Sequence, residues 1–539
     1  MREMDGSLVG GVGLFFAIAG SAVSYVSAQP TELVSRVNGV QPSGLVAQLA
    51  ASDDGRHVFY SSTDTLLVPG ASGYQLYALE RDPDGNGVLD EGNTLVTLIS
   101  LGVDGLPANQ TNGGQTGFYD IGCSAEGRFV LFSSQSDNLI PGDLSFRPWI
   151  DIFLHDRDPD GNAVYDEGNG VTSRVNEAFG GGEANWFDNG LDQLAITPDG
   201  RFAVFSSGSS NLVAADSNDI TPNIYLRELA TGVTTRVDRL TSTQNVGSRY
   251  ADISDDGQWI CYTAFADGFN TLETQVVVVD STGLNPVYVS VDDSGALGDA
   301  DSGAVSPNPG CRISPDGRYV AFVSFAGNLD VTRPTDRTNF GKLMLHDRDA
   351  DGDGIFDEPG AVTTRRIDVA PNGDASDGAG NTPSFSPDST RIAFRATASN
   401  LVPGDTTPSG AFGVEDLYIY TIATGSIEIA SRASDGTQSN NSVGEAAFAG
   451  SEVLFDSRAS NLSPNDTDFA DDIFARTLAA PACNAADLAP PLGTLDLADI
   501  GAFVTGFTMQ DPASDLNADG TWDLADIALF TTAFVAGCP

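Results

Sequence analysis

The chain alternates short polar turns with runs of apolar residues, and one such combination recurs seven times. In its fullest form it is a Ser/Thr-x-Asp-Gly turn followed by Arg, an aromatic residue and an apolar run that ends in Phe or Tyr. Glycine accepts the positive φ of a tight turn, and proline before the acid favours the same turn. The turns are centred on Gly55, Gly127, Gly200, Gly257, Gly317, Ser389 and Gly450. This spacing of 57 to 73 residues predicts an array of small β-sheets.

Each unit contains four segments of strand length. In the third unit they are residues 193–197 before the turn, then 201–207, 223–229 and 233–238. Four antiparallel strands per unit, repeated radially, are typical of a β-propeller. We therefore expect an all-β, seven-bladed β-propeller over residues 33–480, with an open sandwich or two separate domains as the alternative.

The seventh unit lacks a fourth strand. Its third strand, 472–478, is followed by two residues and then Pro481. The mature N-terminus carries Glu32-Leu-Val-Ser-Arg-Val-Asn, which matches Val171-Thr-Ser-Arg-Val-Asn of the second unit. The pattern predicts that this N-terminal strand completes the last blade and removes the exposed edge of an open array.

The repeated turn resembles the signature of TolB-like, WD-repeat-like bacterial propellers, best seen in Ser314-Pro-Asp-Gly-Arg-Tyr-Val-Ala-Phe. The resemblance covers residues 33–480 and implies a propeller used mainly for binding. TolB carries an extra α/β domain before its propeller. This chain passes from a signal segment directly to the repeats, so the TolB partnership with a lipoprotein is not carried over.

Three units carry matching acidic insertions between the third and fourth strands. Oxygen ligands at positions 1, 3 and 5, a carbonyl at 7 and a carboxylate at 9 or 10 form a calcium-loop spacing. We expect Ca²⁺ ligands at Asp82, Asp84, Asn86, Asp90 and Glu91; at Asp158, Asp160, Asn162, Asp166 and Glu167; and at Asp349, Asp351, Asp353, Asp357 and Glu358. A polar hairpin without an ion is the alternative.

A second phrase, Asn-Leu-x-Pro-x-Asp, follows the second strand at Asn138, Asn400 and Asn461, with a partial copy at Asn211. The strand order places it on the face opposite the insertions. The favoured interpretation is a turn with local caps. Metal binding by Asp466, Asp468 and Asp472 is the alternative.

Charge narrows the set of partners. The chain has 26 basic and 74 acidic residues, for a net charge of −48. Such a surface repels nucleic acid and anionic lipid, because both bind proteins through cationic contacts. It favours the binding of cations, or simply keeps the protein soluble.

The N-terminus has the pattern of an export signal. An apolar stretch over 8–20 is followed by Val26-Ser27-Ala28, which predicts cleavage after residue 28. We therefore expect an exported bacterial protein, with an uncleaved anchor as the alternative, and no later membrane span. Export permits a disulfide, for which Cys483 and Cys538 are the favoured pair; Cys123, Cys261 and Cys311 lie in strand patterns.

From residue 481 to 539 the pattern becomes helical, with apolar residues three and four apart over 497–507 and 524–534. The segment before the second helix resembles a dockerin loop. The resemblance implies an exported protein that is attached or assembled through a cohesin-like or surface partner. It places Ca²⁺ ligands at Asp515, Asn517, Asp519, the Thr521 carbonyl, Asp523 and Asp526. The first half keeps Asp496 and Asp499 but has prolines at ligand positions, so we expect one ion rather than two in the whole module, bound by the second half.

Catalytic motifs are sparse. The chain has three histidines and lacks Gly-x-Ser-x-Gly, HExxH and CxxC patterns. The leading hypothesis is a non-catalytic binding or structural propeller with a protein or glycan ligand at one face. The alternatives are a glycan-acting hydrolase or lyase with an acidic site in the funnel, and an adhesion module that contacts its ligand through calcium.

Overall fold

The structure is a computed structural model, and all structural statements below concern the residues that it describes. These are residues 29–36, 41, 43–64, 67, 73–109, 120–143, 150–185, 193–214, 221–238, 247–265, 273–303, 310–330, 332, 341–406, 414–479, 486–489, 495, 497–510, 514, 516 and 521–537. The predicted signal peptide and the predicted Cys483–Cys538 disulfide lie outside them.

The strands of the first half of the chain are short and regularly spaced. They are β1 (Thr31–Leu33), β2 (Val46–Ala51), β3 (His57–Ser62), β4 (Gln75–Glu80), β5 (Leu95–Leu98), β6 (Ile121–Cys123), β7 (Phe129–Ser134), β8 (Asp151–Asp156), β9 (Val171–Arg174), β10 (Ala195–Ile196), β11 (Phe202–Ser207), β12 (Asn223–Glu228) and β13 (Val233–Arg236).

The second half continues the series and ends in two helices. Its elements are β14 (Ser248–Ile253), β15 (Trp259–Phe265), β16 (Thr274–Asp280), β17 (Val287–Tyr288), β18 (Cys311–Ile313), β19 (Tyr319–Ser324), β20 (Lys342–Asp347), β21 (Thr363–Arg366), β22 (Gly380–Phe385), β23 (Arg391–Ala396), β24 (Asp416–Thr421), β25 (Ile427–Ile429), β26 (Val443–Ala449), β27 (Glu452–Ser457), β28 (Asp472–Thr477), α1 (Leu497–Met509) and α2 (Leu524–Ala536).

The described strands form seven four-stranded antiparallel sheets, which are the blades of the propeller. Blades 1 to 6 each contain four consecutive strands, beginning with β2–β5 and ending with β22–β25. Blade 7 contains β26, β27, β28 and β1. In it Thr31 pairs with Arg476 and Leu33 pairs with Phe474. The predicted seven blades and the closure by an N-terminal strand are therefore confirmed.

The apolar core lies between neighbouring blades. The second and third strands are buried on both faces, which explains why their sequences are continuous apolar runs rather than alternating ones. Each cluster of buried side chains joins two blades: Phe59 of blade 1 packs with Phe132 of blade 2, and Ala321 of blade 5 packs with Phe394 of blade 6. Interlocked junctions of this kind hold the ring together.

The repeated turn also links adjacent blades. The N–H of Asp53 donates to the carbonyl of Ala125 at 2.9 Å, and the N–H of Ala125 donates to the carbonyl of Pro198 at 2.9 Å. Gly200 has φ +68°, and a Cβ there would lie 2.3 Å from the ring of Phe129 on the preceding blade. Glycine is needed at this position for both its backbone conformation and its close approach to the neighbouring blade.

The C-terminal helices have a small core of their own. The rings of Phe503 on α1 and Phe530 on α2 stack with centroids 4.2 Å apart. Asp523 caps α2 by accepting a hydrogen bond from the N–H of Ala525 at 2.7 Å. None of the described helices is long and apolar enough to cross a membrane.

Candidate functional site

The three acidic insertions occupy the face of the propeller that also carries the repeated turns. Successive strands are antiparallel, so connections between first and second strands and between third and fourth strands lie on one face, which we call the turn face. Connections between second and third strands lie on the opposite face. The insertions follow β4, β8 and β20, in blades 1, 2 and 5, as predicted.

The first aspartate of each insertion organises the loop. The carboxylate of Asp349 accepts hydrogen bonds from the N–H groups of Asp353 at 3.0 Å and Gly354 at 3.2 Å. Asp82 and Asp158 make the equivalent two bonds in their own loops. The loop backbone therefore curls around this side chain, which brings later carboxylates next to it.

Carboxylates crowd together within these loops. The side chains of Asp158 and Asp160 share a hydrogen bond, which raises the pKa of Asp160. Burial acts to raise the pKa of Asp158 as well, but the N–H groups of Ala163 and Asn162 outweigh it and the pKa is lowered. One carboxylate is thus held in its charged form directly beside a second one, an arrangement that a cation relieves.

The third insertion has the densest group of acids. Asp349, Asp351 and Asp353 each offer a carboxylate oxygen, and these oxygens all lie within 4.8 Å of one another. In the first insertion Asn86 occupies the place of Asp353, and its amide nitrogen donates to Asp84 at 3.2 Å and to Glu91 at 2.6 Å. Oxygens at positions 1, 3 and 5 therefore converge, as the calcium-loop spacing requires, in the third insertion. In the first insertion the glutamate at position 10 contacts position 5 through the amide nitrogen of the asparagine.

The aspartate at position 9 is engaged elsewhere. Asp357 accepts hydrogen bonds from the guanidinium of Arg348 at 3.0 and 2.6 Å. Asp90 pairs with Arg81 at 2.6 Å, and Asp166 pairs with Arg157 at 2.5 Å. The three arginines are at most 1% exposed, so these are buried ion pairs. Between the two carboxylates that the spacing offered, position 10 is therefore the one left facing the loop.

These buried arginines tie the insertions to neighbouring structure. The Arg348 guanidinium lies 4.2 Å from the ring centroid of Trp259 in blade 4, and it donates to the carbonyl of Gly317 at 2.6 Å. Arg81 forms an ion pair at 2.9 Å with Glu452 of blade 7. The arginines therefore anchor the insertions at the junctions between neighbouring blades.

The opposite face carries the Asn-Leu-x-Pro-x-Asp phrases. The amide of Asn400 donates to the carbonyl of Ala375 at 2.8 Å, and the amide of Asn461 donates to the carbonyl of Gln438 at 2.8 Å. These asparagines hold adjacent loops by side chain–backbone bonds, which is the cap role that the pattern favoured.

The aspartates that follow these phrases form clusters. In blade 7 the oxygens of Asp466, Asp468 and Asp472 lie within 4.8 Å of one another. The side-chain nitrogen of Gln41 lies among them and donates to all three, at 2.9, 3.1 and 2.6 Å. Gln41 belongs to the segment after β1, so the two ends of the propeller chain meet at this cluster.

Blades 2 and 6 contain versions of the same cluster. In blade 6 the amide of Gln438 donates to Asp405 at 2.9 Å and to Asp416 at 2.8 Å. In blade 2 the matching pair is Asp143 and Asp151, and the group between them is the guanidinium of Arg174, at 2.7 and 3.2 Å. The acids recur by position, whereas the residue between them does not.

A channel runs through the centre of the ring. It encloses about 290 Å³ and is lined by the first strands of all seven blades. Its charged lining residues are Asp53, Asp120, Asp252, Asp255, Arg312 and Glu445, and Phe385 and Phe448 also contact it. The channel lining therefore includes several carboxylates and two aromatic residues, and not only small side chains and backbone.

The channel carboxylates have perturbed protonation. Burial raises the pKa of Asp120 to about 6, although Arg312 and the N–H groups of Leu194 and Ile121 oppose this. Burial also raises the pKa of Asp255 to about 6, and repulsion from Asp53 adds to it. The channel therefore holds acids that titrate close to neutral pH.

Two of the three described histidines, His155 and His346, are held by hydrogen bonds within their own blades. His155 and His346 accept or donate at Thr172 and Thr364, 2.9 and 2.8 Å away, in equivalent strands of blades 2 and 5. Burial lowers the pKa of each imidazole to about 4. They are neutral and contact a threonine on the fourth strand of their blade, so each supports its own blade.

In the C-terminal module the structure describes part of the predicted calcium loop. The two carboxylate oxygens of Asp526 accept hydrogen bonds from the N–H groups of Leu516 and Asp523, both at 2.9 Å. In the first half Asp499 accepts from Leu488 and Ala489, both at 2.8 Å. The two halves are therefore built alike. Asp515, Asn517 and Asp519 lie outside the described residues.

Sequence reasoning missed the partners of these acids. Arg81, Arg157 and Arg348 stand immediately before each insertion, nine residues ahead of the aspartate they bind, so a recurring signal was present. Gln41 and Arg312 carried no such signal. Gln41 is 431 residues from Asp472 in the sequence, and Arg312 belongs to a different blade from Asp120.

No protein-family profile matches the chain, and no curated protein matches it. Solved structures with a similar arrangement include a protein described as TolB from Agrobacterium tumefaciens, at 15% identity and a TM-score of 0.34, covering 71% of this chain and 94% of that one. TolB from Acinetobacter baumannii is 12% identical with a TM-score of 0.32, covering 84% and 97%. Oligogalacturonate lyase from Vibrio parahaemolyticus is 10% identical with a TM-score of 0.44, covering 83% and 96%. TolB, whose turn signature this sequence resembles, is thus among the structural neighbours, and the propeller assignment itself rests on the strand order described above.

Proposed function

We propose that this protein is an exported, non-catalytic binding or structural propeller that is stabilised by Ca²⁺ and attached or assembled through its dockerin-like tail. One observation carries the proposal: the carboxylate oxygens of Asp349, Asp351 and Asp353 lie within 4.8 Å of one another. The nearby guanidinium of Arg348 is bonded to Asp357 instead. Three clustered carboxylates at calcium-loop spacing repel one another, a cation would relieve that repulsion, and Ca²⁺ prefers oxygen ligands of this kind.

Calcium in these loops would act on the stability of the ring. The loop acids are adjacent to the arginines that cross the junctions between blades 4 and 5 and between blades 7 and 1. An ion that fixes a loop would also fix the arginine that immediately precedes it. We therefore assign the three insertions a stabilising role, with the ligand of the propeller bound at one face.

The tail is assigned attachment. Its proposed Ca²⁺ ligands are Asp515, Asn517, Asp519, the Thr521 carbonyl, Asp523 and Asp526, and its partner would be a cohesin-like or surface protein. Two short helices sharing a few aromatic contacts suit a docking module better than a catalytic one.

A calcium titration of the full chain tests the proposal. The melting temperature of metal-stripped protein should rise by several degrees with Ca²⁺ and return with EDTA, because the ion binds the folded state alone. The double variant Asp351→Asn/Asp353→Asn should lose part of this gain. Asp435→Asn, an exposed aspartate outside the insertions, is the matched control and should keep it. A melting temperature that ignores both Ca²⁺ and EDTA would refute the calcium role.

A second function is favoured by the channel: acid–base chemistry on a neutral glycan. Asp120, with a pKa of about 6, and Glu445 share the channel, and a pair of carboxyl groups is what glycoside cleavage uses. A glycan panel with product analysis separates the two functions. Cleavage that falls at least 100-fold in Asp120→Asn would establish the enzyme, whereas binding without products supports the binding propeller.

A further inference from the structure

One pair of positions faces across the junctions between blades. The first member is the third residue of a second strand, and the second member lies at the start of the first strand of the following blade or directly before it. Phe59 packs with Ile121 across the junction of blades 1 and 2. Leu131 packs with Leu194 across the next junction. The repeat therefore brings the two positions into contact wherever blades meet in this way.

At the junction of blades 4 and 5 both positions are cysteine. Cys261 lies on β15 and Cys311 on β18, both are 0% exposed, and they share one apolar cluster. The two thiols are neighbours in this cluster, and the Cys311 thiol acts to raise the pKa of Cys261. The Cys311 thiol also lies 3.3 Å from the carbonyl of Tyr250, on the strand that pairs with β15. Two thiols thus occupy the place that a Leu–Leu or Phe–Ile contact fills elsewhere.

We propose that Cys261 and Cys311 form a disulfide that joins blades 4 and 5 when the chain folds in the presence of a disulfide oxidant. The thiolate of one cysteine attacks the oxidant, forms a mixed disulfide and releases one thiol. The second cysteine then attacks its partner's sulfur and releases the other thiol. Two cysteine thiols are oxidised and one small disulfide is reduced to two thiols, so atoms and electrons balance.

The bond has to form before the junction closes. Burial raises the pKa of Cys261 well above its usual value, and the neighbouring Cys311 thiol adds to the effect. The thiolate is the reactive species, so the folded, reduced protein reacts slowly even though the two cysteines are neighbours in the same cluster. An exported chain would meet oxidants while it folds. The loop closed by the bond spans residues 261 to 311, which includes β16 and β17.

Refolding of the full chain carrying Cys483→Ala and Cys538→Ala tests the proposal, since three cysteines then remain. The protein is refolded with oxidised glutathione or with a reducing agent, and peptides are mapped without reduction. We expect a peptide linking Cys261 to Cys311 after oxidative refolding, and a melting temperature several degrees above that of the reduced protein. Oxidised glutathione added after reductive refolding should give little of this peptide.

Variants separate the bond from general packing. Cys261→Ala/Cys311→Ala should abolish the difference in melting temperature between oxidised and reduced refolding, whereas Cys123→Ala should preserve it. Cys123 is the matched control because its thiol also contacts an inner-strand carbonyl, that of Ala51 at 3.1 Å. Should oxidatively refolded protein, unfolded and alkylated, carry free thiols at both 261 and 311, the proposal is wrong.

Discussion

Blades 2 and 7 hold the same pair of aspartates on the opposite face but balance its charge differently. In blade 2 the guanidinium of Arg174 lies between Asp143 and Asp151. In blade 7 the neutral amide of Gln41 bonds Asp472 and two further aspartates. The repeat thus determines where the acids lie, while the segment around the fourth strand decides whether they are neutralised. Blade 7 takes that segment from the other end of the chain.

Loss of the cation in blade 2 should have the largest effect. Arg174→Gln leaves Asp143 and Asp151 buried without a guanidinium, because their side chains are 0% and 9% exposed. Removal of one partner from a buried ion pair costs about 3 kcal/mol of unfolding free energy. Urea denaturation measures this cost.

The matched control for that variant is Arg458→Gln. Arg458 pairs with Asp471 at 2.7 Å but is 53% exposed. An exposed pair contributes at most about 1 kcal/mol, so the control should shift the urea midpoint only slightly. Equal shifts in the two variants would mean that the buried Arg174 guanidinium contributes no more stability than the exposed Arg458 guanidinium.

The pH dependence of blade 7 should show the next largest effect. Burial raises the pKa of Asp472 to about 6, and Asp466 and Asp468 add repulsion, whereas Ser35 and Gln41 oppose the rise. The folded state therefore binds this proton more tightly than the unfolded state. The resulting stability is present below pH 4 and is lost as the pH rises through 6.

Asp472→Asn removes that titration. In EDTA, the decrease in unfolding free energy between pH 4 and pH 7 should become smaller by about 2 kcal/mol. Urea midpoints at a series of pH values check the change. The exposed Asp374→Asn variant is the control and should retain the wild-type slope. An unchanged slope in Asp472→Asn would show that the cluster is already neutralised.

Conversion of blade 7 to the blade 2 arrangement should give the smallest effect. Gln41→Arg places a guanidinium among the three carboxylates, where charge-assisted hydrogen bonds replace those of the amide. We expect about 1 kcal/mol of stabilisation in EDTA, measured by urea denaturation. Gln41→Leu, which is uncharged and cannot donate, should destabilise instead; stabilisation by both variants would contradict the charge argument.

Much of the fold could be predicted because its signals are local. Each Asp-Gly turn and apolar strand lie next to each other in the sequence, and the match between 32–38 and 171–176 identified the missing strand of blade 7. The calcium-loop spacing was equally local, and the structure places positions 1, 3 and 5 together in the third insertion.

The balance of charge could not be predicted, because it depends on residues that meet only in the folded ring. Gln41 contacts Asp472 across 431 residues, and Arg81 contacts Glu452 across 371. The Cys261–Cys311 contact also crosses a junction between blades. The ion pairs within the insertions could have been predicted from the sequence, because each arginine lies nine residues before its aspartate. The aspartates are Asp90, Asp166 and Asp357.

The closure of blade 7 by β1 has a consequence for the order of assembly. Each of blades 1 to 6 holds its four strands in one continuous stretch, so it can form as soon as that stretch is available. Blade 7 must wait, because Thr31 meets Arg476 across 445 residues. Contacts of such separation form late and slowly. Until then the edge of β28 is exposed and β1 has no partner strand. The chain is therefore most vulnerable to aggregation or proteolysis at the last step before the ring closes.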